Sequence, residues 1–240
     1  MRLLEKDPAE SPASASAVAE YLRGQNNGRP ATEVPLGPGR LVGREALFDV
    51  LRAKLDKPEP GELLFVVGAE GSGRARMMRT AVASARQRGL RSFGGDFGGE
   101  RGIGIFSEII EDVRNSLNGQ EVLAESDEWN SLRVRAPSRL EAVYLDMVEV
   151  LARRCKADTA PVVISMGDLH RASPSALDAL AYVREKLKRL DLPVVFLCSA
   201  PDDSAVPGTA LYKRFPGATR FDLKPLNTSQ VRDLTTSILG

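Results

Sequence analysis

Leu63-Leu64-Phe65-Val66-Val67-Gly68-Ala69-Glu70-Gly71-Ser72-Gly73-Arg74-Ala75 is the stretch on which the fold turns. Its first five residues form a continuous apolar run, too short for a helix and suited to a strand buried on both faces of a parallel sheet. A glycine-rich turn comes next, and Arg74 to Gln87 then continues through good helix formers without an internal Gly or Pro. Strand, glycine loop and helix in that order make a phosphate-binding P-loop, in which backbone N–H groups at a helix N-terminus face an anion. An isolated GxxxxG is equally a plain turn between strand and helix, so the neighbouring segments have to decide.

Downstream the alternation continues. Ile103 to Leu117 and Leu140 to Arg154 have helical spacing, and Pro161 to Met166 is a second buried strand. Ala176 to Leu190 is a helix, Pro193 to Cys198 a third apolar strand, and Thr219 to Leu223 a short fourth. Strands alternating with helices imply crossovers and a parallel sheet covered on both faces, so the expected class is a three-layer α/β fold. Upstream, Glu45 to Leu55 places Leu47, Leu51 and Leu55 at helical spacing and stops at Pro58 to Gly61. Gln25 to Arg40, with Pro30, Pro35 and Pro38 among glycines, has a linker composition, and Glu10 to Asn27 reads as a short amphipathic helix ended by Gly24. The polar segment Asn118 to Pro137, which holds the only tryptophan, Trp129, is expected to be a surface excursion.

A P-loop that hydrolyses nucleotide reads GxxxxGK[ST], where the lysine reaches the β/γ-phosphates and the hydroxyl binds Mg²⁺. Gly68 and Gly73 keep the framework and Gly71 adds a third glycine, but Arg74 stands where the lysine should be. Its planar fork can hold a phosphate without the lysine's compact point charge. Ala75 has no hydroxyl to offer a metal, and Glu70 brings a carboxylate that repels phosphates unless it faces solvent.

Leu41-Val42-Gly43-Arg44-Glu45, the loop from Gly68 to Ala75, and Val162 to Leu177 together resemble the AAA-like P-loop ATPase core of the signal-transduction ATPases with numerous domains (STAND), MalT-like or Orc1-like in style. The resemblance spans residues 40 to 240 and implies a three-layer P-loop NTPase sheet. It implies adenine contacts from Leu41, Val42 and Gly43, and phosphate contacts from Gly68, Gly71, Ser72, Gly73, Arg74 and Ala75. The family's Mg²⁺ aspartate falls on Gly167, which has no carboxylate; Asp168 matches the second acid, which orients the attacking water, and is expected to be a vestigial catalytic residue. Leu169-His170 match the family's LH, and Ser199 is all that remains of a polar sensor after the strand ending at Cys198. Phe221 to Leu226 and Val231 to Leu239 resemble the start of the helical lid, which is expected to be largely missing. The resemblance therefore implies ATP as a weakly bound cofactor, leaves the need for Mg²⁺ open, assigns no residue as a metal ligand, and implies negligible turnover.

Leu3-Leu4-Glu5-Lys6-Asp7-Pro8-Ala9-Glu10-Ser11-Pro12 and the helix through Leu22 resemble the tail of a bacterial Ser/Thr protein kinase, whose pattern is LLxKDPxxRP, with Ser11 in place of the structural arginine. The expected organisation is a kinase-tail-like helix over 1–24, a linker over 25–40 and the ATPase core over 41–240. The chain is expected to be a fragment or truncated relative of a kinase-linked regulator, without kinase activity of its own. Its expected partners are other domains or proteins of a signalling pathway.

Composition narrows the remaining choices. At 240 residues, 42% hydrophobic and 27% charged, the chain is not disordered throughout. It has no window of roughly 18 apolar residues to cross a bilayer and is expected to be cytoplasmic, without membrane association. Thirty-three Lys and Arg against 32 Asp and Glu give a net charge of +1, too little for a global field toward nucleic acid. Six arginines do fall between Gly71 and Ser92 with no acid among them. Without interleaved aromatics they read as a solvated helix face, and nucleic acid is not an expected partner. Cys155, Cys198 and the lone His170 have no metal-ligand spacing, and His170 reads as structural. Two alternatives stay open: a slow genuine ATPase with Arg74 replacing lysine and Asp168 supporting the metal, and a scaffold indifferent to nucleotide.

Overall fold

The computed structural model describes residues 41–97, 104–117, 139–157, 160–202 and 211–239. The kinase-tail-like helix, the linker and the Trp129 segment lie outside the described residues. In chain order the elements are α1 (Glu45–Asp56), β1 (Glu62–Val67), α2 (Arg74–Gln87), β2 (Arg91–Asp96), α3 (Gly104–Asn115) and α4 (Arg139–Ala157). They continue with β3 (Val162–Gly167), a 3₁₀ turn (Leu169–Arg171), α5 (Pro174–Arg189), β4 (Val194–Ala200), the short α6 (Leu211–Arg214), β5 (Thr219–Asp222) and α7 (Thr228–Leu239). Leu41–Arg232 form one compact unit, and the end of α7 from Asp233 onward falls outside it.

All five strands are parallel, in the order β2-β3-β4-β1-β5. β1 and β4 are buried at every position, as their continuous apolar runs require. Because side chains alternate across a strand, each strand feeds two cores. Leu63, Phe65 and Val67 join Ile164, Phe196 and the inward residues of α3, α4 and α5 on one face. Leu64 and Val66 join Val163, Leu197 and the inward residues of α1 and α2 on the other. The expected three layers are therefore present.

β2 departs from the sequence reading, which finds no strand there. Arg91-Ser92-Phe93-Gly94-Gly95-Asp96 has no apolar run because it is an edge strand with three exposed positions. Gly94 lies so close to β3 that a Cβ on it would meet the Ser165 carbonyl oxygen at 1.9 Å. The short α6 also has no counterpart among the expected elements. The remaining helices and strands match their expected positions to within about three residues at either end.

The start of α5 is set by a cap: Ser173 Oγ accepts the Ala176 N–H at 3.2 Å, and Pro174 takes the first helical position. Ser173→Ala is expected to destabilise the fold by about 1 kcal/mol. In a thermal melt that is a fall of about 2–4 °C, which Ser173→Asp should largely avoid.

Candidate functional site

The strand order reverses beside β1: α2 carries the chain from β1 to the β2 edge, whereas β5 lies on β1's other side. Ligands of open parallel sheets bind outside the carboxyl ends of strands at such a point. Gly68 follows β1 directly, Asp96 ends β2, Gly167 ends β3 with Asp168 next, and Ser199 lies near the end of β4.

The loop from Gly68 to Gly73 has the backbone of an anion cradle. Gly73 caps α2 with φ 93° and ψ 18°, and Gly71 has φ 75°, both in the left-handed region that favours glycine. A Cβ at either position would meet no atom within 4 Å, so the space over the loop is open. Ser72 Oγ is buried and finds no hydrogen-bond partner. Glu70 is exposed, so its carboxylate does not occupy the cradle.

Arg74 folds back over the loop. Its Nη1 donates to the Gly68 carbonyl oxygen, and its Nη2 lies 3.6 Å from Asp168 Oδ1. The arginine side chain is 16% exposed and the aspartate 35%, so the pair sits at the mouth of the site and is partly screened. Asp168 is a non-glycine residue in the left-handed region, with φ 49° and ψ 45°. Its N–H donates to Ser199 Oγ at 3.0 Å, which anchors that turn and gives Ser199 a positioning role. His170 lies next in the 3₁₀ turn, and burial lowers its pKa from the ordinary value; Asp168 opposes the shift, while Arg171 and Arg74 add to it. Its Nδ1 is buried without a hydrogen-bond partner, so no acid–base relay is built around it among the described residues.

Gly71, Gly73, Arg74, Ala75, Asp168 and Ser199 line one cavity of about 720 Å³ with Asp96 and Gly167. Leu41, Val42, Gly43, Gly68 and Ser72 do not line it. The two groups are nevertheless linked through the chain after β5. Leu223 N–H donates to the Val67 carbonyl at 2.7 Å, and the neighbouring Lys224 carbonyl accepts from Arg44 Nη2. Leu41 packs on the α1/α2 core, and Gly43 lies against Gln230 of α7.

A family described as AAA ATPase domain matches residues 40–197. The chain belongs to the AAA ATPase domain family. Among solved structures, this AAA ATPase domain is similar to Cdc6p from Pyrobaculum aerophilum, with a TM-score of 0.57 at 19% identity over 83% of this chain and 50% of that one. It is similar to Aeropyrum pernix Orc1, solved in complex with DNA, with a TM-score of 0.57 at 17% identity over 88% and 52%. Drosophila ORC bound to DNA gives 0.53 at 16% identity over 92% and 49%. At these identities the likeness is one of fold, and the chain spans about half the length of these solved relatives. No curated protein matches.

The residues of this AAA ATPase domain fit a phosphate group: an open glycine cradle, a helix N-terminus and a guanidinium meet in one place. Ala75 offers no hydroxyl and Gly167 no carboxylate to a metal ion. Among the described residues no group of three or more His, Cys, Asp or Glu is gathered to hold a metal ion. The sequence reading missed Asp96, because the weak β2 pattern hid the strand that carries it. Burial pushes the Cys155 thiol up to about 11, and Cys198 is pushed up further in the core, so neither is poised as a thiolate. No helix among the described residues is long and apolar enough to cross a membrane.

Proposed function

We propose that this AAA ATPase domain is a regulatory module that binds ATP weakly and hydrolyses it negligibly, in a signalling protein of the STAND type. The observation that carries the reading is Arg74, which lies where the catalytic lysine belongs and is already engaged by Gly68 and Asp168. An incoming phosphate must draw the guanidinium away from Asp168, which lowers affinity and ties nucleotide binding to a local rearrangement. A triphosphate offers this fork a doubly bonded anionic partner, so the exchange is feasible, though only modestly favourable. Kinase association and contact with other signalling domains belong to the same proposal and rest on the sequence resemblance. Nucleic acid is not proposed as a partner, although two of the solved relatives are in complex with DNA. Arg86 and Arg88 of the basic stretch are turned onto Ser92 and Asp56, and Arg74 onto the loop.

Fluorescent ATP titrated into the full chain in EDTA tests the reading. Saturable binding is expected, weakened about tenfold by Arg74→Ala, the loss of one charge-assisted contact. ATP turnover in Mg²⁺ is expected at background. Turnover above background and abolished by Asp168→Ala would establish the slow-ATPase alternative, and an unchanged melting temperature with ATP would establish the nucleotide-independent scaffold.

A further inference from the structure

Gly167 is where the family resemblance expects a metal-binding carboxylate, and its loss looks at first like simple decay. The register of the sheet says otherwise. Asp96 and Gly167 are directly paired at the carboxyl ends of β2 and β3, and the next N–H, that of Phe97, donates to the Gly167 carbonyl at 3.0 Å. A Cβ built on Gly167 would lie 1.5 Å from Asp96 Oδ1 and 2.5 Å from its Cγ. The Asp96 carboxylate therefore occupies the volume into which a side chain at 167 would begin. The Asp96 carboxylate thus lies over Gly167, and a side chain at 167 would require this exposed carboxylate to swing aside.

We propose that Asp96 is the carboxylate that takes the divalent cation accompanying the nucleotide phosphates, in place of the missing residue on β3. The inference rests on the ATP-binding reading above. Asp96 faces the same cavity as Gly73, Arg74 and Ala75. It has no hydrogen-bond or ion-pair partner among the described residues, whereas Asp168 is engaged by Arg74. Mg²⁺ is held in nucleotide sites by one or two carboxylates together with phosphate oxygens and waters, so a single protein carboxylate suffices once phosphates are present. That also agrees with the absence, among the described residues, of a cluster able to hold a metal without nucleotide.

The test is the same fluorescent-ATP titration of the full chain in EDTA and in Mg²⁺, on the wild type, Asp96→Asn and the exchange double variant Asp96→Gly/Gly167→Asp. Mg²⁺ is expected to tighten wild-type binding by about fivefold or more. Asp96→Asn should lose that gain while binding in EDTA at least as tightly as wild type, because a negative charge beside the phosphates has been removed. A residue with only a structural role would lower both affinities together. The double variant, which carries the carboxylate on β3 alone, should regain the Mg²⁺ effect. A Mg²⁺ gain that survives in Asp96→Asn, or a wild type that binds ATP equally with and without Mg²⁺, overturns the role of Asp96 and leaves ATP binding standing. Absence of binding in both buffers overturns the ATP reading itself, and the role of Asp96 with it.

Discussion

Phe65→Ala is expected to remove about 3–5 kcal/mol of folding stability, the cost of emptying a large aromatic site in a close-packed core. Phe65 lies in β1, paired with Cys198 of β4 on one side and Arg220 of β5 on the other, and is fully buried. Its ring meets Tyr212 edge-on at 5.1 Å and Phe215 at 6.3 Å, and these rings anchor the chain between β4 and β5 to the sheet. Tyr212 is itself held, by its hydroxyl donating to the Pro201 carbonyl at 2.9 Å and by the Arg220 guanidinium over its ring at 4.2 Å. The surroundings therefore cannot collapse easily into the space left behind, which places the expected cost high in the range for such truncations. In a thermal melt the midpoint should fall by roughly 6–20 °C. Phe65→Leu should lose distinctly less. A loss below about 1 kcal/mol for the alanine variant would mean that this cluster does not hold the sheet as described.

Gly73→Val is expected to separate folding from ligand binding. Gly73 caps α2 at φ 93°, where an L-residue costs about 1–2 kcal/mol and a β-branched one more. A Cβ there would touch no neighbouring atom, so the folded state is strained only through its backbone and should survive with a modest drop in melting temperature. The ligand suffers more. Relaxing φ turns the first N–H groups of α2 away from the phosphate, and each charge-assisted hydrogen bond lost costs about 1.5–3 kcal/mol. ATP affinity in EDTA should fall by more than about tenfold, beyond the effect of Arg74→Ala. A Gly73→Val protein that binds ATP as wild type would show that the glycine loop is only a turn.

The two substitutions act through neighbouring parts of one unit. β1 is buried by both cores, and the loop is its direct continuation, so the cradle's position depends on the packing of Phe65 as well as on its own glycines. Ser199 and Asp168 are similarly coupled: the hydroxyl near the end of β4 holds the strained turn after β3, which sets where Arg74 finds its acidic partner.

Most of this architecture was legible in local patterns. The apolar runs of β1, β3 and β4, the helical spacing of α1, α3, α4 and α5, and the glycine loop before α2 are each properties of a few consecutive residues, and hydrophobic burial enforces them wherever they pack. The replacements at Arg74, Ala75 and Gly167 were likewise visible as departures from a motif. What no local pattern contained was β2, whose exposed edge position and close approach to Ser165 select arginine and glycine in place of an apolar run. With β2 hidden, the sheet order, the pairing of Asp96 with Gly167 and the placing of a carboxylate from one strand in the side-chain volume of another could not be read. The turn of Arg74 onto Asp168 was equally out of reach, because it joins residues far apart in the chain. Local chemistry decided which groups this AAA ATPase domain carries; strand register and packing, which act only once distant segments meet, decided which of those groups stand together.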